Sequence, residues 1–549
     1  MLSLVLILSL AEPSPAALRT PLQRVPERTR SSTSVLGPTA LGRALARIPD
    51  FVPAAVVIPN PERLLTRAAV ELARLGAVLP AFRPSRIRGD ALARFGVDLS
   101  DPKALATIGI DAHSALIVML DPAGGPLLAQ LALRDPGRFE AFLAQASHAR
   151  TRAGDSVAYV LVPRSGRDEG AMGCTVRGMV ASCQLGLSAR GEPLAELQRL
   201  IDAPSRRYAH SAGLAQATAR LPADADAYVL ARADALAPLA SQAVVAHALR
   251  EARFAPPDQR RRSERVARAR AVFLHQYLHS VEGAALALDL DKREVRIRAE
   301  LVLDERGAAL MRDLVRRPLE RDPLARWAES PALARLIVHL RPEIAADLLA
   351  RAGLALPAPR LSGSLAVLAL GLDTECGAAK AGAPPDPETL PFIFPTALAV
   401  GLASRLDRGA GWLNEALGIP ASASRDGVLQ AGHAYGSPFE LRAADEALLI
   451  GTGLGAGSAA SRRWERMAPP AQRAPAPRPV LEAVVSLPAV AAALGGGAFN
   501  EETRAELREL ADLHRRWQPV LERFAELTVH TDSSDAGRGL RVDVQLTRR

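Results

Sequence analysis

The residues best suited to chemistry are two histidines four positions apart, followed by a glutamate. We predict a long helix from about Asp258 to Glu282, on which His275 and His279 share one face and Glu282 lies one turn further. Three such side chains could ligate Zn²⁺. Metalloprotease helices, however, carry a Glu directly after the first His, and here that position is Gln276. The alternative is a helix end whose imidazoles stabilise the C-terminal dipole, and we expect this alternative and no metal or other cofactor.

The cysteines offer a second chemistry. Cys174 and Cys183 flank a segment centred on Gly178-Met179, where a two-residue turn would place the two cysteines opposite each other on a hairpin. Opposed positions permit a disulfide in some pairings, and the alternative is two buried small residues. Export of the protein would favour the bridge. Cys376 lies in a Gly/Ala/Pro loop with no base beside it, so we expect no reactive thiol there.

The glycine-rich segment Leu449–Ser458 has the strand, loop and helix order of a dinucleotide site. Its strand reads as half of a hairpin rather than as part of a parallel unit, and the region after it is rich in proline. The corresponding segment of the first half, Leu185–Pro193, lacks the fingerprint. Nucleotide binding is therefore not expected. No nucleophile elbow, Cys/His pair or paired carboxylates stand out, so the sequence gives no argument for an enzyme.

The formal net charge of +9 raises the question of a nucleic-acid partner. Nearly all of the positive charge is arginine, scattered among Asp and Glu along the chain. A nucleic-acid binder concentrates its charge on one face and adds aromatic side chains for stacking. The basic run Arg260–Arg270 is the densest, and we interpret it as a solvated helix face, with contact to anionic lipid or polymer as the alternative. We expect no nucleic-acid partner.

The elements that would hold these residues follow a pattern that occurs four times. Each copy is a short apolar strand that runs, through a turn or directly, into a helix. The copies begin near Val52, Ala225, Arg335 and Val480. Between copies, hairpins and helices follow in the same order in both halves, which predicts a tandem duplication. We therefore predict an α+β fold of two duplicated halves, each an antiparallel sheet backed by helices, over residues 49–318 and 319–549.

The N-terminus predicts export. An apolar run over residues 1–11 precedes small residues, as in a signal peptide cleaved after Ala11 or Ala16. We assign residues 1–16 to this signal and the Pro- and Arg-rich residues 17–48 to a flexible leader. The run is short and no Lys or Arg precedes it, so a cytoplasmic protein is the alternative. No segment is long and apolar enough for a transmembrane span.

Three phrases resemble a group of exported bacterial proteins to which no activity is assigned. They are Leu221-Pro-Ala-Asp-Ala-Asp-Ala-Tyr-Val-Leu, Phe95-Gly-Val-Asp-Leu and Leu131-Ala-Leu-Arg-Asp-Pro-Gly-Arg-Phe. The resemblance implies an exported location and a duplicated α+β fold, and it implies no mechanism. Together with the missing catalytic motifs, it predicts a non-catalytic envelope protein that binds another envelope protein or a cell-surface component. A hydrolase-like enzyme with a site assembled from distant residues is the alternative.

Overall fold

The computed structural model describes the chain in two compact units. One ends at Ala308 and the other starts at Ala309, with Arg538–Leu540 grouped with the first. The described residues are 40–76, 96–98, 101–120, 127–146, 149–153, 156–161, 171–187, 207–251, 278–291, 293–315, 332–351, 356–369, 396–403, 424–425, 428–434, 437–444, 447–452, 479–495, 522–534 and 538–549, with isolated positions at 85, 88, 89, 260, 261, 264, 265, 267, 268, 271, 272, 275, 324, 515, 517 and 518.

The first unit contains ten described strands and most of the described helices. Its strands are β1 (Ala54–Ile58), β2 (Leu116–Met119), β3 (Leu127–Ala132), β4 (Ala149–Ala153), β5 (Ser156–Leu161), β6 (Ala171–Arg177), β7 (Val180–Leu187), β8 (Ala227–Ala231), β9 (Val281–Leu290) and β10 (Glu294–Leu303). Its helices are α1 (Ala40–Leu45), α2 (Pro61–Gly76), α3 (Pro102–Thr107), α4 (Pro136–Ala146), α5 (Ala212–Ala219) and α6 (Ala233–Glu251). The division between the units falls within α7 (Glu305–Leu314).

The second unit has two described helices, α8 (Pro342–Arg351) and α9 (Leu487–Gly495). Its strands are β11 (Ala334–His339), β12 (Leu361–Ala369), β13 (Thr396–Leu402), β14 (Ser424–Arg425), β15 (Val428–Ala434), β16 (Ser437–Ala444), β17 (Ala447–Thr452), β18 (Leu481–Ser486), β19 (Phe524–Ser534) and β20 (Gly539–Arg548). The fold is α+β with antiparallel sheet, as the sequence predicts.

The strand order of the second unit is that of the first, displaced by ten strands. Antiparallel pairing gives the first unit the order β4-β5-β6-β7-β3-β2-β1-β8-β9-β10. In the second unit the order is β14-β15-β16-β17-β13-β12-β11-β18-β19-β20. Duplication of an ancestral unit stays a prediction.

The four predicted strand-to-helix copies lie at the centres of the two sheets. β1 precedes α2 and pairs with β8, which precedes α6. Likewise, β11 precedes α8 and pairs with β18, which precedes α9. The copies are thus neighbours in space although they are distant in sequence.

Apolar clusters occupy both faces of the first sheet, because side chains alternate along a strand. In β3, Leu128 belongs to a cluster with Leu45 of α1 and Leu214 of α5. Leu131 faces the other way, toward the cluster that contains Phe139 and Leu143 of α4. The second sheet shows the same division, with Leu365 and Ala366 of β12 in different clusters.

Close packing of α5 on the sheet depends on two glycines that meet face to face. A Cβ on Gly283 of β9 would lie 2.4 Å from the carbonyl carbon of Gly213 in α5. A Cβ on Gly213 would lie 2.6 Å from the carbonyl carbon of Glu282. Only glycine at both positions lets the two backbones come this close.

Candidate functional site

A cavity of about 190 Å³ opens in the first unit where the start of α2 meets α3 and the loop before β2. We call it the Glu62 cavity. Its lining combines charged side chains of both signs with a small apolar floor. The lining residues are Glu62, Pro102, Lys103, Ala106, Ile110, Asp111, Ala112, His113 and Arg134.

Local backbone geometry fixes the start of each lining element. Asn60 caps α2 by accepting a hydrogen bond from the Arg63 amide at 2.9 Å. The Glu62 amide donates to the carbonyl of Ala112 at 3.0 Å, which ties the helix start to the loop. Asp101 caps α3 by accepting from the Lys103 amide at 2.9 Å.

The loop itself is held by one aspartate and one glycine. The Asp111 carboxylate accepts from the His113 amide at 3.1 Å and from the Ser114 hydroxyl at 2.5 Å, an Asx-turn arrangement. Gly109 adopts a φ of 85°, and a Cβ there would lie 2.2 Å from the Asp135 carbonyl oxygen. The Arg134 amide donates to the Gly109 carbonyl at 2.8 Å, which places Arg134 at the rim.

A histidine and a glutamate of the Glu62 cavity lining contact each other. His113 Nδ1 is 3.0 Å from Glu62 Oε2, with 73% of the histidine side chain and 40% of the glutamate side chain exposed. A carboxylate at Nδ1 orients the ring and leaves Nε2 available for a ligand or a proton. The Ser114 hydroxyl donates to Asp111 rather than to His113, so this serine is not activated by the imidazole.

Two cations complete the Glu62 cavity. Within the described residues, the side chains of Lys103 and Arg134 have no carboxylate or hydrogen-bond partner, while Ile110 and Ala112 are buried beneath them. The carboxylates of Glu62 and Asp111 line the same cavity but contact His113 and Ser114, so the two cations can still pair with an organic anion. Sequence reasoning missed this site because its residues come from four separate segments with no common motif.

A second polar cluster, the Asp226 cluster, joins α2 to the start of β8 and the end of β9. Asp226 is fully buried, and its carboxylate lies 2.8 Å from Arg63 Nε and 2.8 Å from Arg67 Nη1. The same carboxylate accepts from the Leu290 amide at 2.8 Å. Arg67 also reaches Asp289 at 3.1 Å. A buried carboxylate needs such partners, because desolvation of the charge is costly.

The charges of the Asp226 cluster shift each other's proton affinity. The hydrogen bond from Arg67 to Asp226 raises the pKa of the Arg67 guanidinium. Burial, together with the negative charge of Asp226, raises the pKa of Asp289 despite its pairing with Arg67. The ion pairs of the cluster join α2 to the sheet, and none of the cluster residues lines the Glu62 cavity.

The Asp226 cluster explains the phrase Leu221–Leu230 on which the resemblance depends. Arg63 Nη2 donates to the carbonyls of Asp224 and Ala225, at 2.8 and 2.7 Å. The buried Tyr228 hydroxyl donates to the Pro222 carbonyl at 2.5 Å and accepts from the Ala225 amide. The two buried polar side chains of the phrase, those of Asp226 and Tyr228, therefore secure the turn into β8, and their role is architectural.

The structure brings His275 and His279 together but separates Glu282 from them. The two Nε2 atoms are 3.1 Å apart, and both residues are helical. The prediction that Glu282 continues this helix is wrong, because Ser280 forms a turn and Glu282 lies in β9. The Gly213–Gly283 contact draws the chain into the sheet at this point. Among the described residues, no group of three metal-ligating side chains is found.

The remaining predicted sites have simpler outcomes. Cys174 and Cys183 are directly paired in the β6–β7 register and are joined as a disulfide, with Gly178 at φ 57° in the turn. In the basic run, Arg268 pairs with Glu264. The strand part of the glycine-rich segment lies in β17, antiparallel to β16, while residues 453–458 are outside the described residues.

The predicted signal (1–16), residues 17–39 of the predicted leader (17–48) and Cys376 also lie outside the described residues. The last part of that leader departs from the prediction of a flexible segment, because Ala40–Leu45 form α1 and Leu41 and Leu45 are buried in the apolar core. Where the structure describes the chain, no helix combines the length and the apolar character that a membrane crossing requires.

Comparison with known proteins gives a faint structural likeness only. No family model matches the chain. No curated protein matches it. Crystal form III of TP0453, from Treponema, is similar at 10% identity and a TM-score of 0.23, over 50% of this chain and 88% of that one. Crystal form I is 11% identical with a TM-score of 0.22, over 48% of this chain and 78% of that one. Crystal form IV is 11% identical with a TM-score of 0.23, over 50% of this chain and 88% of that one. TM-scores this low carry no argument about fold or function.

Proposed function

We propose that the chain is an exported, non-catalytic binding protein of the bacterial envelope, and that its first unit binds a small organic anion in the Glu62 cavity. The observation that carries the proposal is that Lys103 and Arg134 line the cavity without an ion-pair partner among the described residues, together with the buried Ile110 and Ala112. A carboxylate would pair with the two cations while an apolar body covers Ile110 and Ala112.

The volume limits the size of the ligand. A cavity of about 190 Å³ accommodates a compact molecule of roughly ten non-hydrogen atoms, such as a monocyclic carboxylate. The cavity is open to solvent, so ion pairs within it are screened and each contributes about 1 kcal/mol at most. Binding of a simple probe is therefore expected to be weak and salt-dependent.

Calorimetric titration of the full chain with benzoate tests the ligand proposal. Benzoate is expected to bind, whereas benzyl alcohol lacks the charge and phosphate lacks the apolar body. Combining Lys103→Ala with Arg134→Ala should weaken benzoate binding about tenfold. Arg138→Ala is the matched control, because Arg138 is exposed, pairs with Asp135 and does not line the cavity. Equal binding of all three probes, or equal losses in the control, would refute the proposal.

Export is supported by the disulfide, since such bonds persist in oxidising compartments. Cell fractionation with N-terminal sequencing of the mature chain tests this part separately. The expected mature start follows Ala11 or Ala16. An uncleaved chain recovered from the cytoplasm would remove the envelope location but would leave the ligand proposal intact.

The Glu62–His113 pair favours one alternative, a hydrolase-like enzyme in which His113 acts as a general base. Hydrolysis of p-nitrophenyl acetate by the full chain tests it. Turnover that is lost in both His113→Ala and Glu62→Gln, and kept in His210→Ala, would replace the binding function with a catalytic one.

A further inference from the structure

The histidine pair His275 and His279 converges in a way that the other described histidines do not. Four residues apart on a helix, the two side chains share one face. Their ring centroids are 4.4 Å apart and the ring planes are inclined by 74°. This edge-on arrangement directs the two Nε2 atoms at each other across 3.1 Å.

That distance is compatible with two states of the pair. With no metal, one ring donates a hydrogen bond to the other, and which ring carries the proton depends on the tautomers. With a metal, both lone pairs turn to the same ion. Zinc–imidazole bonds are about 2.0–2.1 Å long, so nitrogens 3.1 Å apart subtend roughly 100° at the ion. This angle lies between the octahedral and tetrahedral values, and binding requires each ring to turn its lone pair from the partner nitrogen toward the ion.

The surroundings leave the site open to water and to ions. His279 is exposed and His275 is half-buried, so an ion can reach the pair from solvent. Within the described part of the chain neither ring contacts another polar side chain, and Glu282 lies in β9 rather than on the helix. Two imidazoles and no carboxylate favour borderline transition metals over Mg²⁺ or Ca²⁺, which prefer oxygen ligands.

We propose that His275 and His279 form a two-histidine site for a divalent transition metal of the Zn²⁺, Ni²⁺ or Cu²⁺ class, with solvent in the remaining positions. The geometry is that of an open site rather than a closed structural one. Neither histidine lines the Glu62 cavity, so a negative result for one proposal does not affect the other.

Equilibrium dialysis of the full chain against Zn²⁺ tests the site. The unsubstituted chain is expected to bind one Zn²⁺ ion. In His275→Ala and in His279→Ala the Zn²⁺ affinity should fall at least tenfold, because loss of a direct ligand should cost at least as much as loss of a residue that only orients a ligand. His113→Ala is the matched control, because it removes an exposed imidazole elsewhere in the first unit, and it should change the affinity less than twofold.

Electron paramagnetic resonance of the Cu²⁺-loaded chain provides the decisive second measurement. Hyperfine splitting from two equivalent imidazole nitrogens is expected in the unsubstituted chain and from one in each single variant. Unchanged affinity in both variants, or a spectrum that keeps two nitrogens after either substitution, would overturn the proposal. Circular dichroism of each variant confirms that the fold is retained.

Discussion

Asp226→Asn should destabilise the first unit strongly while leaving the second unit unchanged. The substitution keeps the size of the side chain and removes the negative charge that Arg63 and Arg67 share. An asparagine oxygen at the position of Oδ2 can still accept from Arg67 and from the Leu290 amide, but its amide nitrogen would face the Arg63 guanidinium, which is also a donor. The contact to Arg63 is therefore lost, and both guanidinium groups lose the negative charge that they face.

The magnitude follows from the burial of the partners. Removing one member of a fully buried ion pair costs about 3–5 kcal/mol. Here Asp226 is fully buried, but Arg63 and Arg67 are 32% and 38% exposed, so water recovers part of the loss. We expect a decrease of about 2–3 kcal/mol in the free energy of unfolding, or roughly 4–9 °C in the melting temperature.

The distribution of aromatic residues makes the assay specific to one unit. All four tryptophans, Trp327, Trp412, Trp464 and Trp517, lie in the second unit. Tryptophan fluorescence therefore reports the second unit, and far-UV circular dichroism reports both. In Asp226→Asn, the dichroism melt should acquire an earlier transition while the fluorescence transition stays in place.

Asp234→Asn is the matched control for this experiment. Asp234 pairs with Arg232 in the same unit, but its side chain is 45% exposed, so its loss should cost less than about 1 kcal/mol. The reasoning is refuted if Asp226→Asn lowers the melting temperature no more than this control does. It is also refuted if the fluorescence transition moves with the dichroism transition.

Three further outcomes follow from other described contacts. Denatured, unreduced protein should give one reactive thiol per chain, that of Cys376, and reduction should raise the count to three; three thiols without reductant would exclude the disulfide. Burial raises the pKa of Tyr208, whose hydroxyl donates to the Val52 carbonyl, so its contribution to stability is complete below pH about 10 and is lost as the pH rises further. Tyr208→Phe should flatten this alkaline loss in urea titrations, and an unchanged slope would contradict the assignment. Gly283→Ala should cost about 1–3 kcal/mol, because its Cβ would meet the Gly213 backbone, and a neutral effect in dichroism melts would show that α5 shifts freely.

Much of the sheet could be predicted because its signals are local. The turns at Gly178-Met179 and Asp291-Lys292 separate apolar runs, so both hairpins are visible in the sequence. The four strand-to-helix copies are equally visible. β4, β14 and β15 are not evident in the sequence, since they carry few large β-branched or aromatic residues.

The sites could not be predicted because their partners are distant in sequence. Glu62 and His113 meet only after α2 and the loop before β2 are folded against each other. Asp226 precedes an apolar strand, and nothing local distinguishes it from an ordinary solvated turn residue. For Glu282 a local signal gave the wrong prediction. Its spacing from His275 and His279 is helical, but Gly283 packs against the Gly213 backbone, and this long-range contact places the segment in the sheet.

The strand order has a consequence for how the protein reaches its fold. At the margins of each sheet, paired strands are close in sequence, so hairpins such as β6–β7 form quickly. In the middle, the paired strands are distant in sequence, and β1 cannot pair with β8 until the long segment between them has closed into a loop. Closing so long a loop is entropically slow, so the central pairing should form late. Until then β1 presents an unpaired apolar edge, which is a template for association with other chains. A nascent chain that stops before Ala227 would therefore aggregate rather than fold into a smaller version of the first unit.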